Sequence, residues 1–350
     1  MLILRESDVS PLLKTLTRDQ CHSLLQALWQ ALAAYSHQNH GGGTDGKLIH
    51  QPIREQIVTS KQHVTLFMPA SDTNNTTGIK IVTVPGNGGP PRGAINIFSP
   101  EGDLEGLLNA ELITAFRTAL ASMIPFHRFK LPGDARLVVF GAGKQAEWHI
   151  RLALLLAGEK IAQITVVNRK SRGLEKLKSD LWEAEAGVSP KVTMHYVGRD
   201  SPTFTSDQLA QIVSQADAIF CCTPSTEPLF PGSYLGDRPR FLSLIGSYKP
   251  HMQEVDSTTL LSGGNTVLVD SKEACLHEAG ELIKAQIAEE QLVEIGELLR
   301  DDGDTSLGLF ESGKSVVFKC VGMGIMDIVI GRALLGLAKE RQVGVTVDDF

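Results

Sequence analysis

The segment Gly141-Ala142-Gly143-Lys144-Gln145-Ala146 follows the apolar run 137–140 and precedes a helical pattern over 147–157 that Gly158 closes. Between a strand and a helix, the first glycine permits a tight turn and the second lets a diphosphate approach the backbone. The small Ala146 keeps helix and strand close, so the expected ligand is a dinucleotide. A purely structural glycine turn is the bland alternative, and the second apolar run at 164–167 weighs against it. That second run ends in Val167-Asn168-Arg169-Lys170-Ser171-Arg172, with three cations and no carboxylate. An acid at this point would accept hydrogen bonds from the ribose of NAD. A cationic loop suits a 2′-phosphate, which points to NADPH with NADH as the weaker alternative, unless the loop is only a solvated charged turn. Farther along, Cys222-Thr223-Pro224-Ser225 and Gly246-Ser247-Tyr248 each follow an apolar run. They fall on the carboxyl edge of the expected sheet, where a nicotinamide ring would sit; placement alone supports them, and Tyr248 has packing as its alternative.

These residues require an α/β scaffold. The runs 137–140, 164–167, 218–222, 241–245 and 266–269 are short and β-rich, as buried parallel strands are, and helical or loop segments separate them. They predict a Rossmann-type doubly wound sheet over residues 131–318. Residues 1–130 read differently, with a helix over 21–35, a glycine-rich surface loop at 40–46, and strands at 53–59, 64–68, 78–84 and 93–98 in what reads as an antiparallel sheet. The pattern over 321–341 is helical and is expected to return to this first part, giving an α+β domain of residues 1–130 with 319–350. Over 109–129, Leu112, Ile113, Phe116, Leu120, Met123 and Ile124 recur at helical spacing and leave Thr114, Arg117, Thr118 and Ser122 on another face. Arg117 is then either an exposed charge or an anion-binding guanidinium among small neighbours.

Composition narrows the partners. The 350 residues are 42% hydrophobic and 21% charged, ordinary for a globular protein, and the net charge of −7 disfavours nucleic acid or an anionic membrane. No apolar run is long enough to span a bilayer, and the opening Met1-Leu2-Ile3-Leu4-Arg5-Glu6 lacks a secretory head. The five cysteines (Cys21, Cys221, Cys222, Cys275, Cys320) have no metal or disulfide spacing, and the ten histidines form no ligating pair. The expectation is a cytoplasmic chain with buried thiols, no metal, and a small-molecule partner.

Taken together, Arg54, Met68-Pro69-Ala70, Gly78-Ile79-Lys80, Ile113-Thr114-Ala115-Phe116-Arg117-Thr118-Ala119, the Gly141–Ala146 segment, Ile245-Gly246-Ser247-Tyr248-Lys249-Pro250 and Phe318-Lys319-Cys320-Val321-Gly322 resemble the ornithine cyclodeaminase/mu-crystallin family over nearly the whole chain. The resemblance implies a homodimer joined through the first domain's sheet, with the active site between that domain and the nucleotide domain. It implies that Arg54, Lys80 and Arg117 surround an amino- or imino-acid carboxylate, with Thr114 and Arg117 near the cofactor phosphates. Val321 is similar to a position lining the substrate pocket.

At Tyr248 the chain departs from the family's cyclodeaminases, which carry a catalytic aspartate there; the next acid in this loop is Glu254. The family's reductase branch tolerates that loss. The resemblance therefore implies an NADPH-dependent reductase of cyclic ketimines such as Δ1-pyrroline-2-carboxylate and Δ1-piperideine-2-carboxylate. The alternatives are an alanine dehydrogenase type of oxidoreductase, an ornithine cyclodeaminase with a substitute for the aspartate, and a mu-crystallin-like small-ligand binder without catalysis.

Overall fold

The computed structural model describes residues 1–40, 47–188, 192–299 and 307–349. Residues 41–46 of the expected glycine-rich loop lie outside them. The chain divides into two compact units, Met1–Thr118 with Gly322–Phe350, and Ala119–Val321.

The first unit opens with β1 (Leu2–Leu4), α1 (Glu6–Lys14) and α2 (Arg18–His40). In α2 the buried Cys21, Leu24, Leu25, Leu28, Leu32 and Tyr35 repeat at three- and four-residue steps, the pattern of a helix with one buried stripe. Strands β2 (Ile49–His50), β3 (Glu55–Val58), β4 (Val64–Asp72), β5 (Thr76–Val84), β6 (Arg92–Phe98) and β7 (Leu104–Asn109) follow, and a closing strand Val345–Thr346 completes an eight-stranded sheet. The sheet is mixed, which corrects the antiparallel expectation: β1 pairs in parallel with β7, while the strands from β2 to β7 pair antiparallel. A three-residue strand at the chain start carries too little alternation to announce such a pairing.

One row across this sheet matters for chemistry. Met68 of β4 stands opposite Lys80 of β5, and Lys80 opposite Ile95 of β6. Met68 and Ile95 are buried, so the register inserts a lysine into an apolar row. The closing helix Gly324–Glu340 covers that face, so near that a Cβ on Gly324 would lie 2.9 Å from the Met68 carbonyl oxygen, and one on Gly78 2.7 Å from the Ile328 side chain.

The second unit contains β8 (Ala135–Phe140), β9 (Ile161–Asn168), β10 (Thr193–Gly198), β11 (Ala218–Cys221), β12 (Phe241–Leu244), β13 (Val267–Val269), β14 (Leu292–Glu294) and β15 (Val316–Lys319). They form one all-parallel sheet in the order β10-β9-β8-β11-β12-β15-β13-β14, the doubly wound arrangement expected for this part. Order reverses between β8 and β11, and at such a switch point the strand ends leave a crevice for a ligand. Helix α3 (Ala110–Arg128) spans the division between the units; α4 (Lys144–Ala157) and α5 (Ser171–Val188) are the crossovers from β8 and β9. Phe126, Phe220 and Phe241 pack tilted or edge to face, with ring centroids 5.4 to 6.0 Å apart. All five cysteines are buried and free.

Candidate functional site

Lys80 and Arg117 are both buried, and a buried cation needs a counter-charge. Asp327, in the first turn of the closing helix, supplies it to both. Its Oδ2 lies 2.6 Å from Lys80 Nζ, and its Oδ1 accepts a hydrogen bond from Arg117 Nε at 3.0 Å. Arg117 Nη1 also reaches Met326 Sδ at 3.4 Å. Gly322, at φ +89°, makes room for this guanidinium, since a Cβ there would sit 2.6 Å from Arg117 Nη1. The reading of Arg117 as an exposed charge is therefore overturned. Thr118 and Ser122 are buried as well, because α3 is enclosed on nearly all sides rather than along one stripe. One turn before Arg117, Thr114 Oγ1 is buried with no hydrogen-bond partner among the described residues. Arg54 is half-buried and near enough for its charge to act on Lys80.

Burial pushes the Lys80 ammonium down to about 8; Asp327 opposes that fall, while Arg117 and Arg54 add to it. The result is one carboxylate held between two buried cations with the charge of Arg54 nearby, and a lysine poised to lose its proton in the mildly alkaline range. Asp327 is the residue that sequence reasoning missed. Its signal was a lone acid inside the apolar stretch Gly324-Ile-Met-Asp327-Ile-Val-Ile-Gly331, where a buried aspartate must have a partner.

In the second unit, the β8–α4 turn has the geometry its sequence required. Gly141 has φ +113°, and a Cβ there would press to 2.7 Å from the Cys222 carbonyl oxygen. Gly143 faces open space: a Cβ there would meet nothing within 4 Å, as a backbone cradle for a diphosphate needs. Ala142 is half-buried beside it. Gln145 Oε1 is buried and has no hydrogen-bond partner among the described residues. Open backbone and an orphaned polar side chain at the start of α4 fit a dinucleotide.

Other expected cofactor and substrate residues have partners within the chain. The Lys144 ammonium is held by Glu147 at 2.8 Å and Asp180 at 3.4 Å, so only its backbone at the start of α4 is left to face an anion. Cys222 turns its thiol inward, 3.8 Å from His149 Nδ1. Ser247 is fully buried and its hydroxyl is consumed by Glu281 and Lys319. Val321 belongs to the core of this unit, with its N–H on Asp270 at 3.3 Å. Tyr248 is half-buried, with the Lys249 ammonium 5.7 Å from its ring centroid.

Glu254 is completely buried and spends both oxygens on backbone. Oε1 accepts from Thr223 N at 2.7 Å and Thr223 Oγ1 at 3.2 Å, and Oε2 accepts from Gly246 N at 2.7 Å. At the end of β9, Asn168, Arg169 and Lys170 form a polar and basic turn, with Asn168 Nδ2 donating to the Lys170 carbonyl, and Arg172 follows in the first turn of α5. The sequence showed no acid here, yet the chain delivers one: Asp200, after β10, accepts from Ser171 N at 2.9 Å and Ser171 Oγ at 2.6 Å. These bonds hold its carboxyl below the usual range.

Among the described residues, no group of three or more His, Cys, Asp or Glu is arranged to hold a metal, and no helix is long and apolar enough to cross a membrane. His149 is enclosed by Ser122 Oγ at 2.9 Å and the Gln145 carbonyl at 2.7 Å, and burial pushes its imidazole down to about 4.

The whole pattern of the chain over residues 11–341 matches one family model, and the chain belongs to the ornithine cyclodeaminase/mu-crystallin family. It is 35% identical over 312 residues to the uncharacterized protein YGL159W of Saccharomyces cerevisiae, covering 79% of this chain and 82% of that one. It is 28% identical over 319 residues to the ketimine reductase mu-crystallin of Macropus fuliginosus, covering 88% and 90%. Among solved structures, the Thermococcus litoralis Δ1-pyrroline-2-carboxylate reductase in complex with NADH and L-proline superimposes with a TM-score of 0.76 at 20% identity, over 99% of this chain and 100% of that one. At that identity the likeness is one of fold.

Proposed function

We propose that this chain is an NAD(P)-dependent oxidoreductase that reduces cyclic ketimines, Δ1-pyrroline-2-carboxylate and Δ1-piperideine-2-carboxylate, to proline and pipecolate, with NADPH as its preferred donor. The observation that carries the reading is the buried Lys80–Asp327–Arg117 cluster with Arg54 beside it. Such a cluster is a receptor for one carboxylate: the guanidiniums fix its orientation through paired hydrogen bonds, and Lys80 adds a third donor while it keeps its proton. Asp327 balances part of this charge, so the cations stay in place before the substrate arrives.

A protonated cyclic imine is already electrophilic at C2, and the reduced nicotinamide supplies the hydride that adds there, leaving a secondary amine. The chain then has to bind and orient, and needs no strong base. Its residues agree: Tyr248 stands where the cyclodeaminases carry their aspartate, and Glu254 is committed to backbone. In this reading Gly141, Gly143 and Gln145 hold the diphosphate, Arg169, Lys170 and Arg172 the 2′-phosphate, and Tyr248 is a wall of the substrate site. The relatives named for ketimine and pyrroline-carboxylate reduction support the same substrate class. A homodimer through the first unit's sheet belongs to this proposal, supported by the exposed apolar side chains of Ile53, Ile57 and Val58.

The test follows oxidation of NADPH and NADH with both ketimines, for the wild type and Arg54→Ala. Turnover with NADPH that the substitution abolishes supports the reading. No turnover with either ring and either donor rejects it, and turnover only with pyruvate and ammonia moves the chain to the alanine dehydrogenase type.

A further inference from the structure

Resting on the cofactor reading above, we infer that Glu254 is a positioning residue that clamps the two strand-end loops, 222–224 and 246–248, into the shape that receives the nicotinamide half of the cofactor. The loops leave adjacent parallel strands, β11 and β12, and each would otherwise present an unpaired N–H at its first turn. One carboxylate answers both. Glu254 accepts from Thr223 N and Oγ1 with one oxygen and from Gly246 N with the other, at 2.7, 3.2 and 2.7 Å. The loops are in direct contact, since a Cβ on Gly246 would fall 1.9 Å from the Thr223 carbonyl oxygen. Neither can shift alone without breaking its bond to Glu254.

A second carboxylate holds the clamp from behind. Glu281 takes the Ser247 hydroxyl and, at 3.3 Å, the N–H of Glu254 itself, while Lys319 of β15 donates to Ser247 Oγ at 2.6 Å and to its carbonyl. Two carboxylates thus share one ammonium in a site without water contact. The groups facing Glu254 are Lys319 from β15, Glu281 from the helix Gly280–Lys284, and the thiols of Cys221 at the end of β11 and Cys222 just after it, which burial keeps protonated. Burial pushes Glu254 up to about 7, with Lys319 opposing and Glu281 assisting. Only the ionised form accepts from both loops. As pH falls through about 7 the carboxyl gains a proton, one oxygen becomes a donor facing an N–H, and the clamp opens.

The experiment measures dissociation constants of NADH and NADPH for the full chain between pH 6 and 8.5 by quenching of intrinsic fluorescence, for wild type and Glu254→Gln. The amide offers one acceptor and one donor, so it holds a single loop. Expected for the wild type is binding that weakens on the acid side; for Glu254→Gln, binding about tenfold weaker at pH 8, a loss the size of one charged hydrogen bond, with the acid-side weakening gone. NADH isolates the effect, because the 2′-phosphate of NADPH titrates near pH 6 on its own, by analogy with other phosphate monoesters. Equal affinities and parallel pH profiles for the two proteins would overturn the inference. Should Glu254→Gln not fold, a flat wild-type NADH profile overturns it and an acid-side weakening supports it. A wild type that binds neither dinucleotide at any pH removes the proposed function, and the clamp's purpose with it.

Discussion

Replacing Asp327 by Asn tests the charge logic of the cation cluster without changing its shape. The carboxylate lies 2.6 Å from Lys80 Nζ and 3.0 Å from Arg117 Nε, with all three side chains out of water. At an effective dielectric of about 20, the two contacts carry about 5.5 to 6.5 kcal/mol of attraction each. The amide removes that attraction and leaves Lys80 with burial, Arg117 and Arg54 all acting to discharge it. In the wild type, Lys80 titrates at about 8 and its charged form serves the substrate carboxylate, so activity should decline as pH rises through that value. If only a quarter of the attraction lost at Lys80 is felt there, about 1.6 kcal/mol, its proton is held about tenfold less tightly and the decline moves to about pH 7. A neutral lysine forfeits a charged hydrogen bond of about 1.5 to 3 kcal/mol, so KM for the ketimine should stand about twofold above wild type at pH 7 and approach about tenfold above it beyond pH 8. The assay is kcat/KM from pH 6 to 9.5 for both proteins, with circular dichroism to verify the fold. Any titration of the substrate itself is common to both and cancels in the comparison. A variant with the wild-type break near pH 8 and an unchanged KM would refute the assignment of Asp327 as the partner that keeps Lys80 charged.

His149 should limit stability in acid: its folded value is about 4 against an ordinary 6.5, so the unfolded chain takes up a proton that the folded one refuses. About 3 kcal/mol is expected to be lost as pH falls from 6.5 to 4, and the acid limb of the melting curve should be shallower in His149→Gln. Arg169→Ala should raise KM for NADPH about tenfold and leave NADH nearly unchanged, as expected for one charged contact to a 2′-phosphate; equal effects on both would return this turn to a solvated loop. Tyr248→Phe should change kcat/KM less than about threefold if the ring is a wall, whereas a loss near 100-fold, the lower range for proton-transfer groups, would give its hydroxyl a chemical role. Light scattering should report a dimer, and Ile57→Glu with Val58→Lys should yield monomers, because both side chains are 56% exposed on β3 and two charges would oppose burial there.

The nucleotide-side scaffold was legible because its signals are local. A glycine turn between an apolar strand and an amphipathic helix can be recognised within twenty residues, and Gly141 at positive φ and the open side of Gly143 follow directly from it. Strands with weak or broken patterns escaped. In β10, Thr193-Met-His-Tyr-Val-Gly198 is a half-exposed edge with a histidine in it, and β15 is only four residues long and ends in a charge. The basic turn at 168–172 was readable as a turn, but Asp200 reaches Ser171 from 29 positions away, and no local pattern announces that contact. Helical spacing raised Arg117 as one of two readings, but Arg54 and Lys80 were located only through resemblance, since three cations spread over β and α elements have no common period.

What the buried charged residues share is more useful than their number. Asp327 sits in an apolar helix, Lys319 in the apolar run Val316-Val-Phe-Lys319-Cys320-Val321, and Lys80 in an apolar row of a sheet. Each is a single charge where the surrounding pattern demands burial, and an unpaired buried charge is too costly to persist. Such residues therefore imply one another: every lone cation in an apolar element calls for a lone anion in another. Asp327 answers Lys80 and Arg117, and Glu281 with Glu254 answers Lys319. The first group leaves cationic charge in excess, which suits the capture of an anion. The second leaves carboxylate in excess, which suits the holding of backbone N–H groups, and that difference in sign is why one cluster reads as a receptor for substrate and the other as a clamp on loops.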